Sequence, residues 1–299
     1  AICLTGSKRL FERSLSVYED ICKSQGIQYL KGDDRVAVKG KLQSGVYEVK
    51  GDISSQFISG LLFSLPLLDG DSIIKITGKF ESASYVGLTL KALGDFGIRV
   101  TRMDANSFVV YGNQSYFGRE LAVEGDYSNS AFFEAFNLFG GNVLVNGLLE
   151  DSLQGDRIYR EYFSILEKSP KTPIDLTDCP DLGPILFAVA AALNGGTFVG
   201  TERLRIKESD RITAMKEELL KFGVGLKEYD NCVEIENCEL LEPKTVLSGH
   251  NDHRIVMALS VLCSLKGGKI EGAEAVKKSL PDFFKLISSL GIEVLTDES

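Results

Sequence analysis

The chain has 299 residues, of which 44% are hydrophobic and 25% charged, and its formal net charge at pH 7 is −9. This composition is typical of one or two soluble globular domains, and the acidic balance argues against a nucleic-acid-binding protein, because such proteins are usually basic. No apolar run in the sequence approaches the roughly 20 residues that a membrane-spanning helix needs.

The cysteines are scattered along the chain and form no C-x-x-C pair. This spacing predicts neither a zinc site nor a disulfide framework. Free thiols in a reducing compartment are the simplest interpretation, so we expect a cytoplasmic protein. The residues are Cys3, Cys22, Cys179, Cys232, Cys238 and Cys263.

In chain order, the first predicted elements are an amphipathic helix, a glycine turn and a strand within TGSKRLFERSLSVYEDICKSQGIQYL. Two similar stretches follow, starting at Val49 and Val123, and two looser ones start at Asp175 and Leu247. Each of these four predicts a strand, a polar helix start, a helix that is apolar on all sides and therefore buried, and a second strand.

An amphipathic helix follows each buried helix, starting at Tyr85, Arg157, Arg211 and Phe283, and each ends near a glycine before another strand. The sequence therefore predicts an α/β fold made of repeated βαβαββ units. The N-terminal stretch matches only the second half of such a unit, so we expect the chain to begin within a repeat. A diverged first unit is the alternative.

The stretch from Arg203 to Gly223 predicts an amphipathic helix that starts near Ile206 and stops at Gly223. Lys207 and Arg211 are four residues apart near its start, where cations oppose the helix dipole. An incoming anion would resolve that conflict, so we expect both side chains to face an anion-binding cleft. A solvated helix face with ordinary ion pairs is the other interpretation. The predicted apolar stripe consists of Ile206, Ile212, Met215, Leu219, Leu220 and Phe222.

The string KESDR at the start of this helix resembles the (K/R)E(T/S)DR signature of the EPSP synthase (3-phosphoshikimate 1-carboxyvinyltransferase) family. The strings DISSQF, NDHR and KKSLPDFF also resemble motifs of that family, and the likeness runs through the whole chain. It implies an enolpyruvate transferase-like fold with three repeat units in each of two domains. Residues 1–123 would then be an incomplete first domain of one and a half units, and residues 124–299 a second domain of three units.

The resemblance implies transfer of the enolpyruvyl group of phosphoenolpyruvate to the 5-hydroxyl of shikimate 3-phosphate. Asp181 would contact that hydroxyl and act as general base, and Glu208 would take part in proton transfer at the methylene carbon. The residues that match shikimate 3-phosphate ligands are Ser54, Ser55, Gln56, Ser82, Tyr85, Asp181 and Lys207. Those that match phosphoenolpyruvate ligands are Arg9, Gln56, Arg211, Arg254 and Lys278.

These residues come from both halves of the chain, so we expect a cleft that closes over the substrates. The matches are not complete: Ala83 and Ser84 replace a common Lys-Pro, Cys179 replaces a common Ile or Val, and Arg203 replaces a common Asn. Asp126 and Ser128 match a motif with a structural role near the domain hinge, and no catalytic role is assigned to them.

The family's SKS-type and NAGT-type substrate loops match no string in this sequence. We therefore expect the chain to be a fragment of the full enzyme and to be inactive alone. The resemblance implies a monomer that acts on small molecules and needs no cofactor or metal. His250 and His253 could suggest a metal pair, but the sequence offers no evident third ligand.

Two alternatives in function remain open at this point. The chain could be a non-catalytic fragment that binds anions, which would share every motif above. It could also be a UDP-N-acetylglucosamine enolpyruvyl transferase, although that family lacks the combination of KESDR, SSQ and NDHR. An RNA 3′-phosphate cyclase would need nucleotide-handling motifs that are not seen.

Overall fold

The computed structural model describes residues 1–12 and 14–296, and the side chain of Arg9 lies outside this description. The chain divides into two compact units, Ala1–Ala122 and Val123–Ser299. This division falls one residue before the domain boundary predicted from the sequence.

The first unit contains two sheets and four α-helices in the part of the chain that is described. Strands β1, β2 and β3 form one antiparallel sheet in the order β1-β3-β2, and strands β4 to β7 form another in the order β4-β5-β7-β6. The elements are β1 (Ile2–Thr5), α1 (Lys8–Glu12), α2 (Ser16–Ser24), β2 (Gln28–Lys31), β3 (Arg35–Lys39), β4 (Val46–Lys50), α3 (Ser55–Ser64), β5 (Ser72–Thr77), α4 (Ala83–Asp95), β6 (Val100–Asp104) and β7 (Ser107–Val110).

The second unit starts with helices and then repeats the strand–helix pattern. Its elements are α5 (Tyr127–Glu134), α6 (Tyr159–Lys168), β8 (Ile174–Asp175), α7 (Gly183–Ala192), β9 (Gly196–Val199), α8 (Arg211–Lys221), β10 (Leu226–Tyr229), β11 (Cys232–Ile235), β12 (Leu247–Ser248), α9 (His253–Lys266), β13 (Ile270–Glu271) and α10 (Phe283–Ser289). A 3₁₀ turn at Glu202–Ile206 precedes α8.

The predicted βαβαββ repeat is formed once in each compact unit. In the first it consists of β4 to β7 with α3 and α4, and in the second of β8 to β11 with α7 and α8. The sheet β4-β5-β7-β6 of the first unit and the sheet β8-β9-β11-β10 of the second have the same strand order, with β4 corresponding to β8 and β6 to β10. In both, the first two strands are parallel and the last two join antiparallel. The mixed α/β fold predicted from the sequence is therefore confirmed.

The first helix of each repeat is buried, as its apolar composition predicts. In α7, Ile185, Leu186, Phe187 and Val189 are fully buried, and α9 is buried from His253 to Leu262. Each large apolar side chain removed from water contributes roughly 1.5–3 kcal/mol, so the two helices form the centre of the second unit. Their N-termini are consequently fixed in place by packing.

Three predicted strands are not formed. The stretch 143–146, the stretch 292–294 and the start of the repeat at Val123 carry no strand assignment, and Leu144 is 81% exposed. A strand is stable only when a neighbour completes its hydrogen-bond ladder. Among the described residues the first stretch has the backbone bond from Gly125 N to Gly147 O, 2.8 Å, next to it, but no ladder.

Helix α8 begins at Arg211, five residues later than the sequence analysis predicts. Asp210 caps it, since its carboxylate accepts from Ile212 N and Thr213 N at 3.1 Å each. Gly223 has φ +80° and ends the helix as predicted. The predicted apolar stripe is partly wrong, because Ile206 is 47% exposed and lies before the helix, and Leu220 is 68% exposed.

Helices of the described residues are all too short or too polar to cross a bilayer.

Candidate active site

One carboxylate, that of Asp181, brings three cations of the second unit together. Lys207 Nζ lies 3.1 Å and Arg211 Nη1 2.9 Å from Asp181 Oδ1, and Arg254 Nη2 lies 3.1 Å from Oδ2. Asp181 precedes α7, Arg211 opens α8 and Arg254 lies in the first turn of α9. The starts of three helices, each with its positive dipole end, therefore meet where the cations outnumber the carboxylate.

Arg211 is held deeper than the other two cations. It is 2% exposed, and its Nε donates to Asp252 Oδ2 at 2.9 Å, while Ser209 Oγ donates to the same oxygen at 3.1 Å. Asp252 is itself fully buried and caps α9 by accepting from Arg254 N at 2.9 Å. The expectation that the Arg211 side chain faces an open cleft is therefore wrong, since it is enclosed by two carboxylates.

Arg254 also reaches the start of α5. Its Nη1 donates to Ser128 Oγ, and Ser128 is buried. Asp126 caps α5 by accepting from Ser128 N at 2.8 Å. The start of a fourth helix thus helps to orient Arg254.

A second group of side chains lies beside the Asp181 cluster. His253 Nδ1 and Glu208 Oε2 are 3.0 Å apart, and Lys278 Nζ lies 3.8 Å from the same oxygen. Lys278 also donates to the Asn251 backbone carbonyl and, at 2.9 Å, to Asn251 Oδ1. Glu208 thus has an imidazole and an ammonium as neighbours, which are groups that can hold or pass a proton.

Burial and charge set the ionisation of this cluster. Burial alone would raise the pKa of Asp181, but Arg254, Lys207 and Arg211 outweigh it and hold that pKa well below its usual range. Burial raises the pKa of Glu208, but its hydrogen bond with His253 and the charges of His253 and Arg211 together outweigh burial, so this pKa is also lowered. Burial lowers the pKa of Lys207, and Asp181 opposes this only in part. Without substrate, both candidate catalytic carboxylates are therefore ionised at neutral pH.

In the first unit, the SSQ string opens α3 as predicted. Ser54 caps the helix, and its Oγ accepts from Gln56 N at 3.3 Å. Ser55 is buried and Gln56 is exposed. A Ser cap and an exposed amide at the start of a ten-residue helix are compatible with an anion ligand, and equally with capping alone.

Ser82 and Tyr85 lie at the start of α4. Ser82 is buried and has a left-handed backbone, φ 52°, an unusual conformation for a residue other than glycine. Its backbone carbonyl accepts from Tyr85 N at 3.2 Å. The predicted phosphoenolpyruvate ligand Arg9 lies on α1, but its side chain falls outside the described residues.

The two histidines do not form a metal pair. His253 bonds Glu208, whereas His250 bonds Glu218. His253 does lie in a group of three ligand-type side chains, since atoms of Glu208, Asp252 and His253 are within 4.8 Å of one another. The sequence did not reveal this grouping. Because Asp252 already pairs with Arg211 and Glu208 with His253, hydrogen bonds among protein groups account for this cluster.

Sequence reasoning missed several residues that support the site. Asp252, Asn251 and His253 were recognised only as a string, and their partners Arg211, Lys278 and Glu208 lie 41, 27 and 45 positions away. The one local signal was the Asp before a long apolar helix, which is typical of an N-cap. Partners so far apart in sequence leave no periodic pattern.

Solved structures define the class of fold. The EPSP synthase of Acinetobacter baumannii is similar with a TM-score of 0.76 and 20% identity, over 99% of this chain and 75% of that one. The enolpyruvyl transferase NikO of Streptomyces tendae is similar with a TM-score of 0.69 and 12% identity, over 93% of this chain and 71% of that one. The fold is that of the enolpyruvyl transferases.

The family follows from the sequence comparisons. The family model for EPSP synthase (3-phosphoshikimate 1-carboxyvinyltransferase) matches residues 1–287. The 3-phosphoshikimate 1-carboxyvinyltransferase of Clostridium kluyveri is 44% identical, over 98% of this chain and 73% of that protein. The one from Brachyspira hyodysenteriae is 39% identical, over 98% and 74%. This chain belongs to the EPSP synthase family.

Proposed function

We propose that the site of this chain transfers the enolpyruvyl group of phosphoenolpyruvate to the 5-hydroxyl of shikimate 3-phosphate. The observation that carries the proposal is the convergence of Lys207, Arg211 and Arg254 on the single carboxylate of Asp181. Two phosphorylated, carboxylated substrates need such an excess of fixed cations. Membership of the EPSP synthase family supports the same reaction.

In the proposed reaction, Asp181 accepts the proton of the 5-hydroxyl of shikimate 3-phosphate. The oxygen of that hydroxyl forms a bond to the central carbon of phosphoenolpyruvate. The methylene carbon gains a proton, and the tetrahedral adduct then loses phosphate and one methyl proton to restore the double bond. Glu208, with Lys278 at 3.8 Å and His253 at 3.0 Å, is the proposed group for proton transfer at that carbon.

Substrate binding would also change Asp181. When substrate anions bind Lys207 and Arg254, the charges that lower the pKa of Asp181 are partly neutralised. The pKa of the carboxyl then rises, which makes it a stronger base once both substrates are present. Base strength would thus be coupled to occupancy.

The full set of proposed substrate ligands follows the family motifs. For shikimate 3-phosphate these are Ser54, Ser55, Gln56, Ser82, Tyr85, Asp181 and Lys207, and for phosphoenolpyruvate they are Arg9, Gln56, Arg211, Arg254 and Lys278. We also propose that the protein is a cytoplasmic monomer, a state that size-exclusion chromatography with light scattering would test. The cysteines being unpaired agrees with a reducing compartment.

The decisive experiment combines phosphate release with calorimetry. We expect this chain to bind phosphoenolpyruvate in the presence of shikimate 3-phosphate and to release no phosphate by itself, because its sequence contains neither the SKS-type nor the NAGT-type loop. In a longer chain that supplies both loops, phosphate release should need both substrates. Asp181→Asn should keep phosphoenolpyruvate binding and lower turnover by about 10²–10⁴-fold. Asp178→Asn, an exposed carboxylate three positions earlier, is the matched control and should change neither.

The outcomes separate the alternatives. Binding without phosphate release even when both loops are supplied would favour the non-catalytic anion-binding protein, and phosphate release by this chain alone would contradict the expectation that it is inactive. No binding of phosphoenolpyruvate at all would contradict the proposed function. Full turnover in Asp181→Asn would remove Asp181 as the base.

A further inference from the structure

A buried carboxylate in α8 has no part in the reaction described above. Glu218 lies seven positions after Arg211 and is 1% exposed. Its oxygens accept from Lys221 Nζ at 2.9 Å, from Ser248 N at 3.0 Å and bond His250 Nε2 at 3.0 Å. Leaving a buried donor or carboxylate oxygen without its hydrogen-bond partner costs free energy. A buried acid with this many partners therefore holds them in fixed positions.

Two of the partners of Glu218, Ser248 and His250, belong to one turn, residues 248–252. In it His250 and Asn251 have φ values of 47° and 51°, both left-handed. Two successive left-handed residues other than glycine are unfavourable for L-amino acids and persist only where surrounding contacts hold them. Those contacts include Gly249 N to Glu271 O at 2.8 Å, Asp252 N to Gly249 O at 2.9 Å, and the bond from His250 to Glu218.

This turn sets the positions of several groups in the candidate active site. Asn251 accepts from Lys278, Asp252 accepts from Arg211, and His253 bonds Glu208. All three follow His250 directly in the chain. A change in the backbone at His250 would therefore move the partners of two of the proposed phosphoenolpyruvate ligands, Lys278 and Arg211.

We propose that Glu218 is a positioning residue that acts through His250: their bond keeps the left-handed turn in the geometry that aligns Asn251, Asp252 and His253 with their partners. As far as it concerns phosphoenolpyruvate, the inference rests on the proposed function. Glu218 touches no group assigned to substrate.

A cation site is a less suitable interpretation of the same residues. Glu217, Glu218 and His250 offer ligand-type atoms within 4.8 Å of one another. The ammonium of Lys221 already bonds both oxygens of Glu218, and it also donates to Val246 O at 3.0 Å. A metal ion would have to displace this fixed positive charge.

The test uses the fact that the chain has two histidines, both in this turn or next to it. Imidazole ¹⁵N NMR therefore reports His250 and His253 alone. We expect Glu218→Gln to change the signals of both rings and to weaken phosphoenolpyruvate binding by about ten- to a hundredfold, the loss typical of a small misplacement of binding groups. Glu217→Gln is the matched control, because Glu217 is 57% exposed and 3.8 Å from His250, and it should leave His253 and binding unchanged.

A second variant guards against misfolding. His250→Asn keeps a residue that tolerates the left-handed backbone and leaves Glu218 its bonds to Lys221 and Ser248, while removing the bond between the turn and α8. It also makes His253 the only histidine. We expect a circular dichroism melt near that of the parent, a shifted His253 signal and weakened phosphoenolpyruvate binding.

An unchanged His253 signal in both Glu218→Gln and His250→Asn would overturn the proposal. So would unchanged phosphoenolpyruvate affinity in both variants, if the parent binds that substrate. A parent chain that fails to bind phosphoenolpyruvate would contradict the proposed function, whereas the His253 signal would still decide whether Glu218 positions the turn.

Discussion

At the scale of single residues, Arg211 combines two roles that sequence reasoning treats as alternatives. It is a proposed ligand for phosphoenolpyruvate, yet it is buried between Asp252 and Asp181 and pairs with both. Breaking a buried ion pair leaves an uncompensated charge and costs about 3–5 kcal/mol, whereas an exposed pair contributes at most about 1 kcal/mol. The arginine is thus also a stability residue.

We accordingly expect Arg211→Ala to lower the free energy of unfolding by about 3–5 kcal/mol, because the fully buried Asp252 loses its arginine partner and Asp181 loses one of its three cations. Urea unfolding monitored by circular dichroism would measure it. Lys216→Ala is the control, since Lys216 is half exposed and pairs with Glu228 on the surface, and it should cost less than about 1 kcal/mol. Equal effects of the two changes would contradict the structural role of Arg211.

At the scale of elements, the start of α8 determines where the KESDR residues lie. Asp210 caps the helix and also accepts from Arg205 Nη1 at 3.2 Å. Lys207 and Glu208 consequently lie on the non-helical segment before the helix, from which they reach Asp181 and His253. A helix starting at Ile206 would have put Lys207 and Arg211 on one helical face.

Asp210→Ala should therefore affect both stability and the site. Loss of the cap is expected to cost about 0.5–2 kcal/mol and to weaken anion binding by loosening the segment before α8. Asp210→Asn is the matched variant, because asparagine caps a helix about as well as aspartate. Thermal melts and phosphoenolpyruvate titration of the two variants would check this, and a destabilised Asn variant with an intact Ala variant would reverse the argument.

At the scale of the whole molecule, we expect the stability of the two units to respond differently to a fall in pH. In the second unit the buried or half-buried acids Asp181, Asp252, Glu208 and Glu218 all have lowered pKa values, because ion pairs and hydrogen bonds outweigh burial. In the first unit the acids with lowered pKa values are Asp34, Asp95 and Asp104, which pair at or near the surface. Surface pairs contribute little.

A lowered folded-state pKa adds stability above the unfolded-state pKa, about 4 for these acids, and that stability is lost as pH falls through the folded value. We expect the second unit to open first when the pH is lowered from about 5 towards 2. Hydrogen exchange measured by mass spectrometry would resolve the peptides of each unit. Earlier opening of the first unit would contradict this ordering.

The fold could be predicted from the sequence further than the site. Apolar helices such as α7 and the repeated glycine turns indicated the βαβαββ unit, because hydrophobic periodicity is a local signal. The sequence pattern places the start of α8 too early, because the apolar Ile206 extends the helical spacing beyond the cap at Asp210. The strand at 143–146 was predicted from its pattern, but a strand needs a neighbour, which a pattern cannot supply.

The candidate site depended on motifs, and its internal bonds could not be predicted. Glu218 has a polar side chain on the buried stripe of an amphipathic helix, and its partner His250 is 32 positions away. The helical position of Glu218 on the stripe of Met215 indicates burial, unlike that of the exposed Glu217, but nothing near Glu218 in sequence indicates its partner. Such pairs are determined by tertiary packing, which a single sequence does not display.

The burial of α7 on all sides also constrains synthesis of the chain. This helix packs against α9, whose last residue is made 74 positions after the end of α7 (266 minus 192). At about 5–20 residues per second, the ribosome needs about 4–15 s to add that length. During this interval α9, the main partner of α7, has not been completed, so the apolar surface of α7 can still bind other apolar surfaces. The nascent chain therefore passes through a period in which the future centre of the second unit is exposed to other apolar surfaces, and α7 is the segment that a chaperone would bind.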